Sequence, residues 1–140
     1  MNPILAPFLL SRSQWDLMRE DVAARLPEEA CGLLLGSAGR VLSVVPVTNV
    51  LHSPVRYRMD PAEQLRAFIL IEDNGWDLSG IYHSHPYGPA APSGTDIEEC
   101  YYPDVTQLIW FKKNGEWFCN GFTIKAGLVT AIPVKIVEGE

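Results

Sequence analysis

The chain has 140 residues, a length that suits one domain, and its 47% hydrophobic against 20% charged residues supply a core and exclude a disordered chain. A net charge of -6, with Lys and Arg scattered rather than blocked, excludes the basic face that a nucleic-acid binder needs. No stretch reaches the roughly eighteen apolar residues of a membrane span, so one soluble domain over residues 1–140 is expected.

The opening MNPILAPFLL is apolar but broken by Pro3 and Pro7, and it lacks both a basic start and an A-x-A cleavage site. It reads as a first strand or arm. Ser11 and Gln14 form a capping box, and Trp15, Met18, Val22 and Leu26 recur at helical spacing, which predicts a helix over 12–26 ended by Pro27. The run from Glu29 to Gly36, a turn at Ser37 to Gly39 and the β-branched run from Val41 to Val47 predict a hairpin. Arg56 to Met59 reads as a further short strand. Asp60, Pro61 and Glu63 then hold the cap, first-turn proline and box positions of a helix that stops at Gly75.

A third apolar run, Leu78 to His85, ends at Pro86 and opens a loop rich in Pro, Gly and Ala up to Gly94. Thr95 and Glu98 form a second capping box, predicting a short helix from about Asp96 to before Pro103. Val105 to Lys112 and Trp117 to Ile124 flank Asn114-Gly115, a strong hairpin signal, and Leu128 to Val137 supplies a last strand. Hairpins mixed with helices predict an α/β domain, a mixed and mostly antiparallel sheet carrying helices on its faces. Cys31, Cys100 and Cys119 are odd in number and form no CxxC pair, so buried reduced thiols and a cytoplasmic location are expected.

His83 and His85 stand two apart on a predicted strand, so both imidazoles leave the same face and can converge on one ion, while Ser84 points the other way. A catalytic zinc takes three protein ligands and leaves its fourth position to water, so two histidines need one more donor. Asp96 is the natural candidate, because it follows a loop that turns the chain back and sits in the first turn of a helix. Taken singly, such an aspartate is ordinary capping and such a histidine an ordinary core or surface residue; two of the three histidines on one strand face with an acid just beyond is harder to dismiss. His52 reads as a loop residue. Glu29 shares a strand face with Cys31, Leu33 and Leu35, where a carboxylate is out of pattern. Two readings stand for it, a solvated strand end like Glu28 or a proton acceptor facing a cleft.

In order and spacing, E-A-C-G-L-L-L-G at 29–36, H-S-H-P at 83–86 and S-G-T-D at 93–96 resemble the JAMM, or MPN-plus (Mov34/PAD-type), zinc metalloprotease family in its compact prokaryotic form. Ten residues separate His85 from Asp96, as that family's pattern requires. The resemblance covers nearly the whole chain. It implies the MPN fold, a curved sheet flanked by helices in a cytidine-deaminase-like layered arrangement. It also implies one Zn2+ with a catalytic water on His83, His85 and Asp96, Glu29 as general base and acid, and Ser93 as a donor to the developing oxyanion. The implied reaction is hydrolysis of a peptide or isopeptide bond, with the tail of a ubiquitin-like or sulfur-carrier protein as substrate. Polyubiquitin is a poor first guess, since the family's deubiquitinases carry extra gripping segments.

A different class, an inactive MPN-type interaction scaffold, stands as the alternative. Members that lose catalysis typically lose metal ligands, and all five residues are present here. Other metal hydrolases fit less well. An amidohydrolase barrel needs about 250 residues, the zinc deaminase signature is absent, and there is no HExxH helix.

Overall fold

A computed structural model describes residues 6–138. The elements run β1 (Phe8–Ser11), α1 (Arg12–Ala24), β2 (Cys31–Ser37), β3 (Arg40–Val47), α2 (Pro61–Asn74), β4 (Asp77–His85), α3 (Gly94–Glu98), β5 (Thr106–Lys113), β6 (Glu116–Lys125), β7 (Leu128–Ile132) and β8 (Val134–Val137). Part of the expected opening strand is β1, and residues 1–5 lie outside the described residues. No helix among the described residues is long and apolar enough to cross a membrane.

Eight strands form one mixed sheet in the order β7-β6-β5-β4-β2-β3-β1-β8. The pairings of β4 with β5, β1 with β3 and β1 with β8 are parallel, and the others are antiparallel. The single last strand expected over 128–137 is in fact two strands. Pro133 has no N–H to continue a ladder, so β7 stays on β6 while β8 crosses to β1. Strands at opposite ends of the order are thus joined through one residue, and the sheet has to curl until its edges approach. Two contacts fix that closure: the Phe8 N–H donates to the Pro133 carbonyl at 2.7 Å, and a Cβ on Gly121 of β6 would lie 2.9 Å from Val134 Cγ2 of β8.

Local sequence sets most element ends. α1 begins where the Ser11 hydroxyl accepts from the Gln14 N–H and the Gln14 side chain accepts in return from the Ser11 N–H. It ends at Ala24, short of the expected Leu26, which is exposed. α2 is capped by Asp60, carries Pro61 in its first turn and stops at Gly75 in the left-handed region (φ 66°). Asn114 and Gly115 both have positive φ, as a two-residue hairpin turn requires. The expected strand over Arg56–Met59 is only an isolated bridge between Met59 and Asn49; the segment's hydrogen bonds go to an asparagine side chain, described below.

The sheet separates two apolar layers. On one face Met18 and Val22 of α1 pack with Leu10, Leu34, Tyr82 and Trp110. On the other, Ala67 of α2 packs with Cys31, Leu33, Leu35, Val47 and Ile81. Strand alternation therefore sends Tyr82 and Ser84 toward α1 and Ile81, His83 and His85 toward α2. Three cysteines are free; Cys31 is buried as expected, whereas Cys100 and Cys119 are half-buried. Burial pushes the thiols of Cys31 and Cys119 up to about 12.

Gly32 lies opposite Tyr82 in the β2–β4 pair. A Cβ at Gly32 would sit 2.2 Å from the Tyr82 ring, and that ring is fully buried, with its hydroxyl donating to Asp21 at 2.7 Å. The ring cannot yield cheaply. Gly32→Ala is predicted to cost about 1–3 kcal/mol, seen as a lower urea midpoint at unchanged m. Gly94→Ala, where a Cβ meets nothing within 4 Å, should leave the midpoint in place.

Candidate metal centre

The site lies where β2 and β4 run out together on the α2 face. Cys31 pairs with His83, and the register continues past the end of β2: the Ser84 N–H donates to the Ala30 carbonyl at 3.0 Å, and the Ala30 N–H donates to the Ser84 hydroxyl at 2.8 Å. Glu29 therefore comes to stand across from His85. Both are buried, at 3% and 2% exposure, and so is His83 at 1%. Burial of three titratable side chains at one strand end is what separates this place from an ordinary solvated edge.

Asp96 reaches the histidines from α3. The capping box of that helix is Ser93 with Asp96, not Thr95 with Glu98, so the helix starts at Gly94, two residues earlier than the sequence suggested. Both tetrads fit the box pattern. Ser93 is the one that holds its N-cap backbone extended, and its hydroxyl accepts from the Asp96 N–H at 3.1 Å. In return Asp96 Oδ2 accepts from the Ser93 N–H at 2.8 Å. The same oxygen lies 3.2 Å from His83 Nε2 and 3.0 Å from His85 Nε2, and the two Nε2 atoms are 3.1 Å apart. The cap thus also aims the carboxylate.

These three atoms fit a metal ion. Ligands of a tetrahedral centre with bonds of about 2.0 Å stand about 3.3 Å apart, close to the spacings found. His85 Nδ1 is 2.7 Å from the Pro89 carbonyl, which only accepts, so Nδ1 carries the proton and Nε2 of the neutral ring is a lone pair. That lone pair faces the Asp96 carboxylate, and two acceptors in contact need a positive charge between them. The ligand atoms of Glu29, His83 and His85 also lie within 4.8 Å of one another, a looser set, so by distance Asp96 is the closer carboxylate.

The charges respond to this crowding. Burial alone would raise the Asp96 carboxyl, but its bonds to both imidazoles hold it well below the usual carboxylate range. Burial pulls His85 down, yet the bonds to Asp96 and to the Pro89 carbonyl outweigh it, and its pKa is raised. Burial pushes Glu29 up to about 8, with His85 pulling down and Asp96 pushing up. Among the described residues Glu29 Oε1 has no hydrogen-bond partner, and neither has His83 Nδ1. A divalent cation in the site would draw the Glu29 value back down.

Several residues here were invisible to sequence reasoning. Fully buried Asn49 donates to the carbonyls of Glu29 (3.0 Å) and Arg56 (3.1 Å) and accepts from the N–H groups of Leu51 and Arg58 (both 3.1 Å). It shapes the whole 49–58 segment; the Asx-type bond to Leu51, two residues on, is the signal that an asparagine before a Pro-containing loop can give. Tyr57 from that segment stacks on His83, ring centroids 4.8 Å apart. An Arg56–Glu99 ion pair ties the segment to the end of α3. Between them opens a cavity of about 370 Å³ bordered by His83 and Asp96. His52 is a loop residue as expected, exposed and paired with Glu28 at 3.1 Å.

Comparison with known proteins gives a consistent result. Residues 11–120 match the family described as prokaryotic homologues of the JAB domain. The CysO-cysteine peptidase of Mycobacterium tuberculosis is 36% identical over 115 residues, 80% of this chain and 79% of that protein. The desampylase of Haloferax volcanii is 42% identical over 94 residues, 65% of this chain and 68% of that protein. A solution structure of a Desulfitobacterium hafniense protein superposes with a TM-score of 0.83 at 34% identity, covering 94% of this chain and 93% of that one.

The buried acid makes a prediction about pH. The folded value of Glu29, about 8, lies above its ordinary 4.5, so between those pH values the folded chain keeps a proton that the unfolded chain has released. Stability then falls as pH rises. His85, with a raised value, adds stability that is present below 6.5 and lost as pH rises through its folded value. Asp96 contributes stability that is lost only on acidification. Chelator-treated protein should therefore lose up to about 1.4 kcal/mol per pH unit for each such proton between about pH 5 and 8. Glu29→Gln should flatten that slope, as urea melts across the range will show; identical slopes for the two proteins would contradict it.

Proposed function

This chain belongs to the family of prokaryotic JAB-domain homologues, the JAMM hydrolases, and on that premise we propose a zinc-dependent peptidase or isopeptidase in which His83, His85 and Asp96 hold the metal. The observation that carries the reading is the convergence of those three donors within 3.2 Å beside a buried carboxylate oxygen that has no partner among the described residues. Residues 1–140 act as one domain, with the cytoplasm, which suits free thiols, as the site of action. The substrate is the C-terminal tail of a ubiquitin-like or sulfur-carrier protein, a reading supported by the similarity to a relative named CysO-cysteine peptidase.

Held by His83, His85 and Asp96, a zinc ion would supply a water of lowered pKa, toward about 7, and a Lewis acid for the scissile carbonyl. Glu29 takes the proton of the attacking water and passes it to the leaving nitrogen. Its desolvated position and its free Oε1 suit a group that both accepts and returns a proton. The Ser93 hydroxyl accepts from the Asp96 N–H, which leaves its own proton to donate to the carbonyl oxygen as negative charge develops there. Such a donor is worth roughly 3 kcal/mol of barrier. The Pro89 carbonyl fixes the His85 ring so that Nε2 stays available.

The roles separate by mutation. Purified protein should carry one zinc per chain, and chelation should abolish activity; a metal content unchanged in the His83→Ala, His85→Ala double variant would exclude the site. Glu29→Gln should keep its zinc and its melting temperature while kcat falls by about 10²–10⁴-fold. Asp96→Asn should lose or weaken the metal, because a neutral amide is a poor zinc ligand. Zinc stoichiometry and turnover measured side by side decide this: normal turnover in Glu29→Gln removes the base, and lost zinc makes Glu29 a ligand.

Substrate class is tested with a panel of tails. Short extended tails ending in Gly-Gly should be cleaved in preference to folded chains, whereas a strong preference for one polyubiquitin linkage would overturn the assignment.

A further inference from the structure

The cavity beside the metal centre extends well beyond the reacting atoms. It reaches down to the α2 face of the sheet, where Leu33 of β2 and Ile81 of β4 border it with Met59. All three are buried. Gln107 of β5 stands next to Ile81 in the parallel β4–β5 ladder and borders the same cavity. This glutamine is 5% exposed, and its carboxamide makes no hydrogen bond with any described residue, although buried amides in folded proteins are almost always paired. Its carboxamide is open to the cavity, where an entering group can exchange a hydrogen bond with it.

The placement of the cavity says which part of a substrate enters. It touches His83 and Asp96 but not His85, Glu29 or Ser93. Since the proton relay through Glu29 puts the leaving nitrogen on the Glu29 and His85 side, the cavity takes the acyl side of the scissile bond. Two glycines have no side chains to fill about 370 Å³. The occupant is a side chain a few positions before the scissile bond.

We propose that this cavity is a specificity subsite for a side chain with an apolar stem and a neutral hydrogen-bonding tip, and that Gln107 is the residue that reads the tip. This rests on the tail-hydrolase reading above. The stem lies against Leu33, Met59 and Ile81, where area removed from water supplies affinity. The tip exchanges a hydrogen bond with the Gln107 carboxamide. Beside Ile81 a carboxylate or ammonium tip is disfavoured, because the Leu33, Met59 and Ile81 wall would strip its water, although Arg56, Arg58, Asp96 and Glu99 also line the cavity. Glutamine and methionine form the informative pair of ligands, nearly equal in length and shape but different at the tip.

The test uses zinc-loaded full-length protein and synthetic tails ending in Gly-Gly linked to a reporter amine, with Gln or Met placed in turn at each of the four preceding positions. At one position the wild type should favour Gln over Met by about tenfold in kcat/KM, the size that one net hydrogen bond supports. Gln107→Met should remove or reverse that preference at the same position only, with zinc content and melting temperature unchanged. Binding is read independently of hydrolysis by the NMR signal of the Gln107 side-chain amide in the Glu29→Gln protein, which should shift with the preferred tail and not with its Met counterpart. Equal preferences in wild type and Gln107→Met, or a Gln107 amide signal that no tail moves, would overturn the subsite. Tails that move the signal but are not cleaved by wild type would instead leave the subsite standing and refute the hydrolase reading.

Discussion

The paired hydrogen bonds between Ala30 and Ser84 are the constraint on which the centre depends. They carry the β2–β4 register one step beyond the end of β2. Without them nothing in the sheet would hold Glu29 across from His85. Ser84 serves this role because it sits between the two histidines and so must point to the opposite face. One strand thus presents two imidazoles on one side and, on the other, the hydroxyl that anchors the backbone next to Glu29. Asn49 braces the same place from outside, through the Glu29 carbonyl.

A cluster of this kind is costly to bury. Two imidazoles and the Glu29 carboxylate are buried, the Asp96 carboxylate is half-buried, and His85 Nε2 stands 3.0 Å from the Asp96 oxygen. Burial of unpaired charge is normally avoided or neutralised by protonation. The raised Glu29 and His85 values and the depressed Asp96 value describe a site that holds protons where it crowds acceptors together. A divalent cation bound there would displace those protons, so its binding free energy would be coupled both to pH and to folding. The fixed orientations come from neighbouring groups: the Ser93 cap for Asp96, the Pro89 carbonyl for His85 and the Tyr57 ring for His83.

Much of this was legible in the sequence because its signals are local. Ser11 with Gln14, Asp60-Pro61 with Gly75, and Asn114-Gly115 each set an element end through contacts a few residues apart, and the structure has all three. The shared face of His83 and His85 follows from strand alternation alone. What could not be read depends on distant partners. Whether the chain after Pro133 stays beside β6 or crosses to β1 is decided by the other edge of the sheet, not by residues 128–137. The 56–59 segment has the composition of a strand, but Asn49 offers its N–H and carbonyl groups another partner. Ser93 and Thr95 both begin a capping box, and the sequence has no means to choose between them.

The central claim is that Asp96, and not Glu29, completes the metal set with the two histidines. The direct measurement is a crystal structure of the zinc-loaded protein, with the metal located by anomalous scattering. The predicted result is an ion bonded to Nε2 of His83, Nε2 of His85 and Oδ2 of Asp96 at about 2.0–2.2 Å, with the Glu29 carboxylate outside bonding distance and facing the remaining position. An ion bonded to Glu29 in place of Asp96, or held by only one of the histidines, would contradict the account.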